Sequence, residues 1–117
     1  MGSKNVIVEK SVDFALAVIE FSEELEQRKK YVIGRQLLRS GTSIGANIHE
    51  AQSSESRADF IHKLKIAAKE ACETEYWLTL CNKSQHYPSS EELIAQLISI
   101  QKLLSKIIST AQKHSAH

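Results

Sequence analysis

Residues able to ligate a metal, attack a carbonyl or cradle a phosphate are all present in this chain, but few stand in a pattern that such chemistry uses. Asp59-x-x-His62 is the nearest approach to a metal motif. A di-iron bundle needs two Glu-x-x-His motifs and two further inward glutamates on other helices. One degenerate copy reads instead as the solvated first turn of a helix. His49 beside Glu50 has no partner, His86 falls in a loop, and His114 and His117 belong to the tail. Ser99-x-x-Lys102 matches Ser-x-x-Lys in form, yet it lies on a Leu/Ile-rich stretch without the companion motifs of that chemistry. Neither Cys72 nor Cys81 has a histidine at a telling position. The expectation is no catalytic residue, no cofactor and no metal, hence not an enzyme.

Two groups of residues remain. Gly41-Thr42-Ser43-Ile44-Gly45 places two glycines inside a helical pattern, where each costs about 1 kcal/mol against Ala. They mark either a close helix–helix crossing or a phosphate-cradling loop, and the loop fails the P-loop pattern because no Gly-Lys-Ser/Thr follows. The favoured assignment for Gly41 and Gly45 is close packing. The second group is basic. Residues 27–69 hold nine basic groups against Glu50, Glu55 and Asp59, a balance of +6. Residues 1–26 carry two lysines, Lys4 and Lys10, against six acids, a balance of −4, and the remainder stands at −1. Arg35 with Arg39, and Lys65 with Lys69, are i,i+4 pairs that share helix faces. Arg35, Arg39, Lys63, Lys65 and Lys69 are therefore the candidate nucleic-acid-binding residues. The competing account is that the acids of the first helix neutralise this basic hairpin, within or between subunits.

The elements that must position these groups are helical. Leu93, Leu97, Ile100, Leu104, Ile107 and Ala111 recur at alternating four- and three-residue spacing, the seam of a packed helix over about 90–112. Ile94, Ile98 and Ile108 widen that seam. Pro88 and a Ser89–Glu92 capping box signal its start. A first helix over about 5–26 carries two apolar stripes: Val8, Val12, Ala15 and Ile19, and Ile7, Phe14, Val18, Phe21 and Leu25. These stripes are centred roughly 115° apart. One should be core, the other a second bundle neighbour or a subunit interface. A second helix, 31–52, has Leu37, Gly41, Ile44, Ile48 and Ala51 at heptad spacing. A third, 57–85, opens on a Ser56–Asp59 cap and carries Ile61, Leu64, Ala67, Ala68, Ala71, Cys72, Leu78 and Cys81. Tyr76 and Trp77 read as core or interface. The joint at Gln27–Lys30 contains neither Gly nor Pro.

Composition agrees with an all-α, antiparallel four-helix bundle forming one domain over 1–117. The 117 residues are 42% hydrophobic and 25% charged, the proportions of an ordinary soluble domain. One Pro and four Gly leave few turns for a β-sandwich. No apolar run of the roughly 18–20 residues that span a bilayer is read, so no membrane partner is expected. The start Met1-Gly2-Ser3-Lys4-Asn5-Val6 lacks both a signal-peptide stretch and the Ser/Thr of a myristoylation signal. Cys72 and Cys81 lie on opposite faces of one helix, about 13 Å apart along its axis, too far for a disulfide. Two free, buried thiols in a reducing cytoplasm are expected.

Leu38-Arg39-Ser40-Gly41-Thr42-Ser43-Ile44-Gly45-Ala46-Asn47-Ile48-His49-Glu50-Ala51 resembles the signature of a four-helix-bundle family, the 23S rRNA intervening-sequence proteins. Ala58-Asp59-Phe60-Ile61, followed by Ala67, Glu70, Glu73, Glu75 and Tyr76-Trp77-Leu78, extends the similarity, which spans about Val6 to Ala111. Many members have Pro where this chain has Gly45 and Gly where it has Ala51, departures that touch local backbone geometry. The resemblance implies an antiparallel four-helix bundle in bacteria whose relatives assemble as homopentamers. It also implies RNA or DNA as a partner, since some members are encoded within 23S rRNA genes and a related group serves diversity-generating retroelements. It offers no catalytic motif. The expectation is a cytoplasmic, non-enzymatic homo-oligomer that binds nucleic acid through backbone charge; the alternative is a scaffold that docks an unidentified protein.

Overall fold

The computed structural model describes residues 5–115. The Met1–Lys4 start and His117, on which part of the sequence reading fell, lie outside the described residues. Four helices follow one another: α1 Val6–Gln27, α2 Tyr31–Ala51, α3 Arg57–Lys83 and α4 Glu91–Ser115. No strand occurs among the described residues. The short joints force each helix back along the one before it. Asn5 Nδ2, at the head of α1, donates to Gln52 Oε1 at the foot of α2 (2.7 Å), and Gln101 of α4 donates to Glu75 of α3 (3.0 Å). Each helix packs on its neighbours in the chain and α4 closes on α1, while among the described residues the diagonal pairs α1–α3 and α2–α4 show no close backbone approach. The result is a rod of 51 × 27 × 20 Å.

The core is drawn from the expected stripes. Leu37, Ile44 and Ile48 of α2, Leu64 and Leu78 of α3, and Leu97, Ile100 and Leu104 of α4 are all buried. The two stripes of α1 divide. Ile7, Phe14, Val18, Phe21 and Leu25 enter the core, whereas Val12 and Ile19 stay exposed beside Leu16, which is 56% exposed. Near the end of α3 Cys81 is buried, but Cys72 is exposed, correcting the expectation of two buried thiols.

Boundaries moved for local reasons. α3 ends at Lys83, before Gln85, because Ser84 turns to extended backbone (φ −86°, ψ 136°). α4 continues past 112 to Ser115. The Ser56 cap forms as expected, its hydroxyl accepting from Asp59 N–H at 3.0 Å. The Ser89–Glu92 box does not. Ser90 directly precedes α4 and is buried, its hydroxyl donating to the Leu78 carbonyl at 2.7 Å. Ser89 therefore stands one place too far out, accepting only a long 3.4 Å bond from Glu91 N–H. The α1–α2 joint turns without glycine: Lys29 takes φ 63°. Lys30 N–H bonds the Leu25 carbonyl (2.8 Å) and Lys29 N–H that of Glu26 (2.9 Å), a Schellman ending that normally has Gly at this place.

One exclusion needs correction. α4 over Glu91–His114 is long enough to cross a bilayer and reaches a mean hydropathy of 1.2. Its most apolar line, Leu93, Leu97, Ile100 and Leu104, is buried in the bundle, with α1 and α3 as its neighbours. That is the one-sided burial of an amphipathic helix in a bundle.

The glycine pair lies at the α1–α2 contact. A Cβ at Gly41 would stand 2.8 Å from Cγ1 and 2.9 Å from Cγ2 of Val18; at Gly45 it would stand 3.3 Å from the Ser11 hydroxyl. Val18 is fully buried and its branched methyls have nowhere to go. Gly34, on the same seam, meets only ordinary contacts, the nearest at 3.4 Å from Leu25 Cβ. Gly41→Ala should therefore lower stability by about 1–3 kcal/mol through overpacking, despite the better helix propensity. Gly34→Ala should raise it by up to about 1 kcal/mol, where propensity acts alone. Urea unfolding of both variants checks the pair, and matching signs would contradict the close-contact account.

Candidate nucleic-acid interface

The five candidate basic residues do not share a face. Arg39 leaves α2 toward α3 and forks across two carboxylates one turn apart, pairing with Glu70 at 3.2 Å and with Glu73. Lys63 returns the contact from α3 to α2, its ammonium 2.9 Å from Glu50. Arg35 turns the other way, into the α1–α2 groove beside Glu23, Glu26 and Leu38, with its guanidinium 5.8 Å from the Tyr31 ring. Lys65 and Lys69 stand outward on α3 and, like the exposed Arg35 on its separate groove, outside any ion pair among the described residues.

These two lysines are part of a longer line. Leu64, Ala67, Ala71, Thr74, Leu78 and Cys81 turn α3 toward the core. On the opposite side Lys65, Lys69, Cys72, Tyr76 and Lys83 are all exposed. At about 100° per residue they fall within a sector of about 60°. Tyr76 is 58% exposed in the single chain, which removes it from the core but not from an interface; Trp77 beside it is half-buried. Sequence reasoning missed Tyr76 and Lys83 as members of this line, although the seven-residue steps Lys69–Tyr76–Lys83 were legible.

Tyr76 has a firm support. The Trp77 and Tyr76 rings meet edge to face, centroids 5.2 Å apart at 62°. Trp77 Nε1 donates to Glu73 Oε2 at 3.0 Å, and that carboxylate also holds Arg39. Buried beneath, the Thr74 and Ser40 hydroxyls share a hydrogen bond of 2.9 Å between α3 and α2. Arg39 thus acts as a brace rather than an open contact.

The charge account changes accordingly. The acids of α1 make no ion pair with Arg39, Lys63, Lys65 or Lys69 among the described residues, although Glu23 and Glu26 line the groove that holds Arg35. Glu20 and Glu24 line the α1–α4 groove with Glu92, a space of about 400 Å³, and Glu24 pairs with Arg28 at the end of its own helix. Because α1 and α3 occupy diagonal corners, these carboxylates sit across the bundle from Lys65 and Lys69. Arg39 and Lys63 are matched instead by Glu50, Glu70 and Glu73 from α2 and α3 themselves. Among the described residues, no three His, Cys, Asp or Glu side chains gather in a way that could hold a metal ion.

Hydrogen bonds from Arg39 first, and from Trp77 second, hold the Glu73 carboxyl below its ordinary value of 4.5. A depressed carboxyl contributes stability that is fully present above its unfolded pKa and is lost as pH falls through the folded one. The denaturation midpoint should therefore fall on acidification below about pH 4.5, and Glu73→Gln should flatten that part of the curve. Urea titrations from about pH 7 to pH 3 check it, and parallel curves would remove the ionised brace.

The family model described as 23S rRNA-intervening sequence protein matches residues 3–106. A crystal structure of a protein of unknown function from the S23 ribosomal protein family of Bacteroides thetaiotaomicron superposes with a TM-score of 0.83. It is 46% identical in sequence, over 87% of this chain and 97% of that one. No curated protein matches.

Proposed function

The chain belongs to the 23S rRNA-intervening sequence protein family, and on that premise we propose a non-enzymatic, self-associating helical bundle that holds nucleic acid by its phosphate backbone. The observation that carries this reading is the outward line of α3, with Lys65, Lys69 and Lys83 outside any ion pair among the described residues and the acids of α1 on the far corner of the bundle. Lysines in open solvent attract phosphates without reading bases, so binding is sequence-tolerant and salt-sensitive. A bacterial cytoplasmic setting belongs to the same reading.

Self-association draws on a different face. Val12, Leu16 and Ile19 of α1 and Leu38 of α2 are exposed apolar side chains, and Ile19 and Leu38 meet across one groove. Contiguous apolar surface of this kind marks an interface. The number five comes from the resemblance to relatives that form homopentamers. Repetition of α3 around such an assembly would turn weak contacts into avidity where one strand reaches several subunits. The same apolar face supports the second reading, a scaffold that docks another protein and has no role with nucleic acid.

Light scattering should give a mass several times 13.1 kDa. Leu16→Glu should reduce it toward that value, and a wild-type monomer would remove the self-association. For the nucleic-acid role, mixed-sequence RNA at low salt is titrated with wild type, Lys65→Glu/Lys69→Glu and Arg35→Glu. The double variant should bind about tenfold more weakly or worse, Arg35→Glu about as wild type, and log K should fall by about 0.7 per single-strand phosphate neutralised as log salt rises. Equal binding by all three, or none, would leave the scaffold reading.

A further inference from the structure

We propose that Tyr76 is a stacking platform for an unpaired base, so that the strand held along α3 is single-stranded nucleic acid rather than duplex. The inference rests on the backbone-binding reading above and adds what that reading leaves open. Lysines alone do not distinguish single strands from duplex, because both present phosphates. Aromatic faces do, because a base inside a duplex has no free face to offer.

Three observations converge on Tyr76. The residue is 58% exposed in the middle of a basic line, a place where a tyrosine gains nothing from the core. Its one aromatic neighbour among the described residues, Trp77, meets it edge to face at 62°, so Trp77 covers at most one face of the Tyr76 ring. The indole is itself fixed, through Nε1 to Glu73 and from Glu73 to Arg39. A ring held this way loses little freedom when a base settles on it.

The flanking charges suit the same ligand. Lys69 and Lys83 lie seven residues to either side of Tyr76, about 10 Å along the axis in each direction. A base stacked on the ring thereby has its neighbouring phosphates within reach of two long, flexible ammonium side chains. Lys65 extends the track by one more turn. Stacking of this type is tolerant of base identity, since every base has a π-face.

The test compares a single-stranded RNA, a single-stranded DNA of the same sequence and the corresponding duplex, using the intact protein. Wild type should prefer the single strands. Tyr76→Ala should weaken single-strand binding about tenfold and Tyr76→Phe should not, while duplex binding is the same for all three proteins. A preference between the RNA and DNA arms identifies the natural source. Cys72, one turn from Tyr76 and exposed, supplies an independent footprint, because Cys81 is buried and its thiol is pushed up to about 11 by that burial. Alkylation of Cys72 by iodoacetamide should slow when the single strand is added and be unaffected by an equal phosphate concentration of duplex. If wild type binds and Tyr76→Ala binds equally well, the platform is wrong although the backbone-binding reading stands. If the loss is equal for strand and duplex, Tyr76 merely supports the fold of α3. If wild type binds neither form, both readings fall.

Discussion

The approach of α1 to α2 at Gly41 is the contact on which the rest of the arrangement depends. A Cβ there would stand 2.8 Å from a methyl of a fully buried valine, so the two backbones lie as near as they do only because the side chain is absent. With Gly45 repeating the device one turn on against Ser11, α2 is fixed in rotation as well as in distance. That rotation sends Leu37, Ile44 and Ile48 inward and Arg39 toward α3. It also leaves Leu38 level with Ile19, joining the apolar surfaces of two helices into one. Both faces discussed for function follow from one pair of missing side chains.

Helix content, order and core were legible in the sequence because they depend on periodicity, and a 3.6-residue repeat survives any detail of packing. The Ser56 cap was legible for a similar reason, since donor and acceptor lie three residues apart in one turn. The Ser89 box was not, because its geometry was decided by Leu78, eleven residues upstream, which takes the Ser90 hydroxyl inward. The basic hairpin was legible only in part. A tally closed at Lys69 stops one residue before Glu70 and four before Glu73, the carboxylates that hold Arg39. Charge counted along a line cannot see a partner that the fold brings from the next helix. A core place for Tyr76 was read from residue type; α3 is rich in small and polar side chains, so its apolar pattern is too weak to orient it.

Charge in the folded chain is sorted by corner rather than by segment. Glu20, Glu24 and Glu92 face one another along the α1–α4 groove, and Lys65 and Lys69 occupy the opposite corner. A net charge of +1 conceals this separation. Opposite charges kept on separate corners orient a charged partner before contact. The crystal structure from the S23 ribosomal protein family shares this bundle at 46% identity, so the scaffold is common to relatives while the lysine line is a property argued from this chain alone.

The square order of the four helices carries a consequence for how the chain reaches its fold. Three of the four seams join helices adjacent in sequence, and two of the joints that connect them are only a few residues long. Loop closure for these hairpins is cheap, and mostly local contacts give a fast search. The fourth seam, α1 with α4, is the sparsest and brings together the two ends of the chain. Its closure comes last in any sequential assembly, and its opening is the smallest cooperative step that the folded bundle can take. A nascent chain therefore has α1, α2 and α3 packed before α4 arrives, with the apolar line of α4 as the piece that seals the core.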